Sequence, residues 1–182
     1  MARALIIACG CRGRELGSAL VEAGWQVRGT TRKPAHSAEI EAAGIEAAVA
    51  DPDRASSILD QVADVTLIYW LLGSALGEPE AVAALHGPRL ERMLEEIVDT
   101  PVRGFVYEAP GGARSADRDS GATLVRVASE RWRIPTEVVD VDPADREAWR
   151  QGMLAAAQRL TGSTLAPGRA RANGRRRRPS RC

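Results

Sequence analysis

Six apolar, β-rich segments alternate with six segments of helical period, and that alternation limits the fold more than any other feature of the chain. The apolar runs are 3–8 (RALIIA), 25–30 (WQVRGT), 45–50 (IEAAVA), 65–71 (VTLIYWL), 102–107 (VRGFVY) and 136–141 (TEVVDV). The first and fourth are almost continuously apolar, as strands buried on both faces of a parallel sheet are. Helical segments follow at 14–23, 36–43, 54–63, 78–99, 122–133 and 144–160. In the first of these, Leu16, Ala19, Leu20 and Ala23 fall on one stripe. Gly24 and Gly44 mark helix ends, Asp53 and Asp142-Pro143 mark helix starts, and Pro88 opens the second part of the long segment after Gly87. Residues 109–120, rich in Gly, Arg, Asp and Ser, read as a loop. Strands alternating with helices call for right-handed crossovers and a sheet covered on both faces. The expectation is an α/β fold: a doubly wound, six-stranded parallel sheet in the order 3-2-1-4-5-6, one domain over residues 1–161. Ligands of such sheets sit outside the carboxyl ends of the strands, where the strand order reverses.

Composition sets the remaining bounds. At 182 residues, 45% hydrophobic and 27% charged, the chain has the makeup of one globular domain. No stretch approaches the ~18 apolar residues of a membrane span, and the N-terminal apolar run is too short for a secretory core. Cys9, Cys11 and Cys182 form neither a disulfide framework nor a four-ligand zinc set, so a reducing cytoplasm is the expected location and no metal is expected. The formal charge of +1 hides an asymmetry, because residues 162–182 hold seven arginines and no acid; without them the net charge is −6. That segment reads as a disordered, dispensable tail. It has no interleaved aromatics, so any nucleic-acid binding through it is expected to be weak, sequence-independent and steeply salt-dependent.

The turn after the first strand runs Ala8-Cys9-Gly10-Cys11-Arg12-Gly13 and leads into a helix. It follows a G-x-G-x-x-G pattern with Ala8 in place of the first glycine. Gly10 lets backbone approach a pyrophosphate, Gly13 lets the helix pack close to the strand, and the helix amides then face the phosphates. Ala8 is the weak point, since a left-handed backbone there is costly for a residue with a Cβ. An acid about 20 residues on commonly holds a ribose 2′-hydroxyl. Here that place holds Thr30, Thr31, Arg32 and Lys33, two hydroxyls and two cations, which suit a 2′-phosphate. Arg12 adds a third cation from the turn. The pattern favours NADP over NAD and disfavours S-adenosylmethionine.

At these residues the chain resembles the extended or atypical short-chain dehydrogenase/reductases, the NAD-dependent epimerase/dehydratase-like group with a Rossmann fold. The likeness rests on the turn CGCRG, the second-strand ending RGTTR, Asp51 after the third strand and the segment 64–73, and spans about residues 3–160. It implies that Asp51 contacts adenine and that Leu71, Leu72 and Gly73 line the adenosine side. It also implies a Tyr-x-x-x-Lys pair on the helix after the fifth strand, yet residues 122–133 contain neither type. The only tyrosines are Tyr69 and Tyr107, the only lysine is Lys33, and Glu108 stands where the resemblance implies a serine. The C-terminal substrate domain that extended members carry is not expected here, since the sixth strand ends at Val141 and the last helical segment near Leu160.

Glu108 is therefore the one candidate for catalysis, as a general base if burial raises its pKa; the alternative is a loop cap or a partner for an arginine. Cys9 and Cys11 are candidates for redox sensitivity or, more simply, small residues filling a tight turn. His36 and His86 lack partners at metal-ligand spacing and are expected at the surface. Trp70, Trp132 and Trp149 read as packing residues. Three functions fit: an NADP-dependent oxidoreductase or epimerase-like enzyme acting on an unknown small molecule, a non-catalytic NADP-sensing regulator, or a nucleic-acid-interacting protein that works through its tail.

Overall fold

The structure, a computed structural model, describes residues 2–110 and 115–162. The elements are β1 (Arg3–Ile7), α1 (Cys11–Glu22), β2 (Gln26–Thr31), a 3₁₀ turn (Pro34–His36), α2 (Ser37–Glu41), β3 (Glu46–Val49), α3 (Ala55–Leu59), β4 (Leu67–Trp70), α4 (Pro79–Leu85), α5 (Pro88–Glu96), β5 (Gly104–Glu108), α6 (Ser115–Trp132), β6 (Thr136–Val139) and α7 (Arg146–Thr161). The six strands form one sheet in the order β3-β2-β1-β4-β5-β6. Each neighbouring pair is parallel, with Ala4 opposite both Val27 and Leu67, and Phe105 opposite Thr136. The expected fold class and strand order are those observed.

Alternate residues of the central strands serve two separate cores, as the period of two requires. Leu5, Ile7, Ile68, Trp70, Phe105 and Tyr107 face one side and pack with Ile58, Leu90, Met93, Leu94 and Val125 from α3, α5 and α6. Ala4, Ile6, Leu67, Tyr69 and Val106 face the other and pack with Leu16 and Leu20 of α1, Ile40 of α2 and Trp149 and Met153 of α7. Burying side chains of this size contributes about 1.5–3 kcal/mol each, so the sheet is clamped from both faces. At the opposite end from the carboxyl edge, Arg28 bridges Glu46 (2.8 Å) and Asp64 (3.0 Å), joining β2 and β3 to the approach of β4.

Several boundaries differ from the sequence expectation, each for a local reason. The third helix is confined to Ala55–Leu59, and Asp53 does not cap it. Asp53 instead gives its carboxylate to Arg89 at 3.1 Å and its amide to Asp51 Oδ1 at 3.0 Å. Asp142 accepts from the Ala144 amide at 2.9 Å in a turn, and Asp145 is the cap of α7, accepting from Ala148 at 3.1 Å. The stretch expected as a loop over 109–120 becomes helix from Ser115, so α6 starts before Ala122. Low-propensity Gly, Asp and Ser disguised that helix. Gly121 is there because a Cβ would lie 1.9 Å from the Tyr107 hydroxyl oxygen. Pro88 opens α5 as expected. Residues 111–114 and 163–182, including nearly all of the arginine-rich segment, lie outside the described residues.

Gly29 shows how tightly β2 approaches the β1–α1 turn. A Cβ on it would come within 2.6 Å of Cys9 Sγ and 2.8 Å of Cys9 Cβ. Gly29→Ala is expected to destabilise the protein by about 2 kcal/mol through overpacking, read as a lowered urea midpoint with an unchanged slope.

Candidate functional site

The β1–α1 turn is built from backbone and held by β2. The Cys9 amide donates to the Thr30 carbonyl at 2.8 Å, and the Ala8 amide donates to Thr30 Oγ1 at 3.1 Å. The Thr30 hydroxyl, expected to face a ligand phosphate, is thus buried and spent on the turn. Ala8 adopts φ +63°, the left-handed conformation a glycine would take there. The cost of a Cβ in that region is about 1–2 kcal/mol, and the two bonds to Thr30 offset it. Gly10 then stands at the N-cap of α1 with no side-chain cap. A Cβ on Gly10 would meet nothing within 4 Å, so the turn is open on its outer side. The first amides of α1 therefore carry the positive end of the helix dipole toward that opening. Gly13 faces β1, where a Cβ would lie 3.3 Å from Ile6 Cγ2, and Gly17 sits against Ile45, at 2.3 Å from Cδ1. Both glycines let α1 lie close on the sheet.

A cleft of about 480 Å³ opens beside this turn, over the carboxyl ends of β1, β2, β3 and β4. Of the residues singled out from sequence, Ala8, Cys9, Gly10, Thr30, Thr31, Arg32, Lys33, Leu71 and Leu72 line it. Arg32 and Lys33 are exposed and make no ion pair among the described residues. Thr31 Oγ1 accepts from the Lys33 amide at 3.2 Å, which curls the strand end so that both cations flank the cleft. His36, Asp53 and Arg89 complete this wall. They were not anticipated as a group, because the 3₁₀ turn, the β3–α3 loop and α5 meet only in the fold.

Cys11, Arg12, Gly13, Asp51, Gly73 and Glu108 do not line the cleft. Asp51 spends its carboxylate on the Asp53 amide, and its own amide and carbonyl are both bonded to Ser57 Oγ, at 2.9 and 3.0 Å. The turn so formed presents Pro52 and Asp53 to the cleft. Cys11 begins α1, and Arg146 Nη2 lies 3.6 Å from its sulfur. Cys9 is buried, and desolvation pushes its thiol up to about 12 despite the nearby Arg14, so this residue is packing and not a reactive thiolate.

Glu108 ends β5 and is 1% exposed. Its Oε2 accepts from the Gly73 amide at 2.9 Å, and its Oε1 accepts from Trp149 Nε1 at 2.8 Å and faces Arg12 Nη2 at 3.2 Å. Burial raises its pKa, opposed by Arg12, Trp149 and Gly73 in that order. A raised pKa was the condition for a general base, but both oxygens are already committed to donors. Trp149, read as packing alone, is a hydrogen-bond donor to this carboxylate from the other end of the chain, a pairing no local pattern could reveal. His86 corrects another expectation: it is fully buried, and its Nδ1 lies 2.8 Å from the Tyr107 hydroxyl. No group of three or more His, Cys, Asp or Glu residues suited to a metal occurs among the described residues, and no helix there is long and apolar enough to cross a membrane.

Two outcomes test this geometry. Ala8→Gly should stabilise the protein by about 0.5–1 kcal/mol, the relief of a left-handed alanine less the added entropy of glycine, seen as a higher melting temperature. Because the folded pKa of Glu108 lies above its unfolded value near 4.5, the stability it contributes declines as pH rises from there through the folded value. In Glu108→Gln that decline is absent, so the stability difference between wild type and variant should shrink as pH is raised, measured by urea unfolding across pH 4 to 8.

No family model matches the chain, and no curated protein matches it by sequence. Solved structures do match in fold. A metagenomic short-chain oxidoreductase solved in complex with NADP superposes with a TM-score of 0.64 at 17% identity, over 86% of this chain and 90% of that one. UDP-glucuronic acid 4-epimerase from Bacillus cereus, solved in complex with NAD, gives 0.59 at 16% identity over 75% of this chain and 54% of that one. Vestitone reductase from alfalfa gives 0.58 at 15% identity, over 76% and 56%. The chain thus spans about half the length of the epimerase and of the vestitone reductase. The protein has the Rossmann fold of short-chain dehydrogenase/reductase structures, as the resemblance in its sequence implied.

Proposed function

We propose that the protein binds an adenine dinucleotide in the cleft over β1–β4, and NADP in preference to NAD. The observation that carries this reading is the meeting, on one cleft, of an uncapped helix N-terminus behind an open glycine with two exposed cations that have no ion-pair partner among the described residues. The amides at the start of α1 and Gly10 suit the pyrophosphate. Leu71 and Leu72 supply apolar wall for the adenine, and Arg32 and Lys33 suit a 2′-phosphate, Arg32 as a fork and Lys33 as a point charge. The neighbours solved with NADP and with NAD support the ligand class. When bound, such a cofactor supplies hydride chemistry.

The residues of this chain favour binding without turnover over catalysis. Helix α6 from Ala122 onward holds neither tyrosine nor lysine. Glu108 has both oxygens engaged and lies outside the cleft. A sensing or regulatory role for one Rossmann domain over residues 1–161 fits these facts better than an oxidoreductase, with 162–182 as a basic appendage.

Calorimetric titration tests the reading. Two exposed cations at up to about 1 kcal/mol each give NADP an advantage over NAD on the order of tenfold. Arg32→Ala should cut that advantage to about threefold while leaving NAD affinity unchanged. Equal affinities of the unmutated protein for the two would sink the 2′-phosphate assignment.

A further inference from the structure

The carboxyl edge of the sheet is divided into two unlike halves. Over β1–β4 it is an open cleft. At the end of β5 it carries a plug of four residues: Arg12, Gly73, Glu108 and Trp149. The Glu108 carboxylate holds the Gly73 amide and the Trp149 indole, and the Arg12 guanidinium lies over the Trp149 ring, 5.0 Å from its centroid. Arg12 also donates to Ser74 Oγ, and Ser74 lines the cleft. None of the four plug residues lines it, so the cleft stops where the plug begins. Helix α7, which carries Trp149, is tied to α1 by the ion pair of Arg146 with Glu15.

A doubly wound sheet has two mononucleotide halves, and an extended dinucleotide crosses from one to the other. Among the described residues, one half of this edge opens as a cleft and the other holds the plug. Admitting a second base and ribose would mean pulling Arg12 from Glu108 and leaving a carboxylate buried without its charge partner, a strongly unfavourable change. We propose that the cleft recognises the adenosine half of its ligand alone, so that its full complement is an adenosine bisphosphate with phosphates on the 2′ and 5′ oxygens, and the nicotinamide half of NADP stays in water. This rests on the reading of the cleft as an adenine-dinucleotide site.

The test is titration of the full chain with NADP, adenosine 2′,5′-bisphosphate and nicotinamide mononucleotide. The bisphosphate is expected to bind with a Kd within about threefold of that for NADP, since the second half adds contacts to neither. Nicotinamide mononucleotide should give no heat at millimolar concentration, and the emission of NADPH should keep its free-solution wavelength and intensity on binding. If NADP binds more than about threefold tighter than the bisphosphate, or NADPH emission shifts to the blue, the second half is held and this inference falls while the cleft assignment stands. If neither NADP nor the bisphosphate binds, the cleft assignment itself falls, and this inference with it.

Discussion

The rest of the site depends on two hydrogen bonds from the β1–α1 turn to Thr30. The Cys9 amide and the Ala8 amide both end on this one residue of β2, through its carbonyl and its hydroxyl. Together they hold Ala8 at φ +63° in a position where alanine is intrinsically unfavourable. With the turn pinned, Gly10 becomes the helix N-cap and Gly13 and Gly17 fall against Ile6 and Ile45. The direction of α1 follows, and with it the place where its uncapped amides and Arg12 point. A side chain at Gly29 would displace Cys9 and undo the arrangement from the β2 side. The local strain of one alanine is thus carried by the strand beside it, as strained functional turns generally require.

Much of the fold was legible because its signals are periodic. Six apolar runs separated by helical stripes lead to a parallel doubly wound sheet with few alternatives, and the observed order is that one. What was illegible was non-periodic. Asp51, Asp53, Asp142 and Asp145 can each cap a helix or close a turn, and only the tertiary setting of Arg89, Ser57 and Ala148 decides which does what. The beginning of α6 was hidden by a glycine whose reason, the Tyr107 hydroxyl, lies on a strand. His86 looked like a surface residue because its partner Tyr107 is in another element.

The same division holds at the site. The glycine turn and the cations after β2 are local in sequence, and the structure brings Ala8, Gly10, Arg32 and Lys33 to one cleft. The resemblance to reductases carried Asp51 and Gly73 with it, but their contacts here are internal. Trp149 could not be placed from pattern alone, since an indole on an amphipathic helix looks the same whether or not its N–H is used. Arg12 was assigned to phosphate by its position in the turn, and the structure turns its guanidinium away toward Glu108 and Ser74.

The loss of the expected tyrosine and lysine and the presence of the Glu108 cluster have one physical explanation in common. A buried carboxylate is tolerated only when its lone pairs are met by donors and its charge by a cation. Gly73, Trp149 and Arg12 meet those conditions. Each of these donors comes from a different segment: the β4–α4 loop, α7 and α1. Glu108 therefore joins three elements at the carboxyl edge of β5, where a reductase of this fold would need room for substrate and a mobile proton donor. A group so held contributes rigidity, because moving it strands an indole, an amide and a guanidinium at once. The Glu108 cluster thus ties the end of β5 into the core, beside an edge that opens as a cleft.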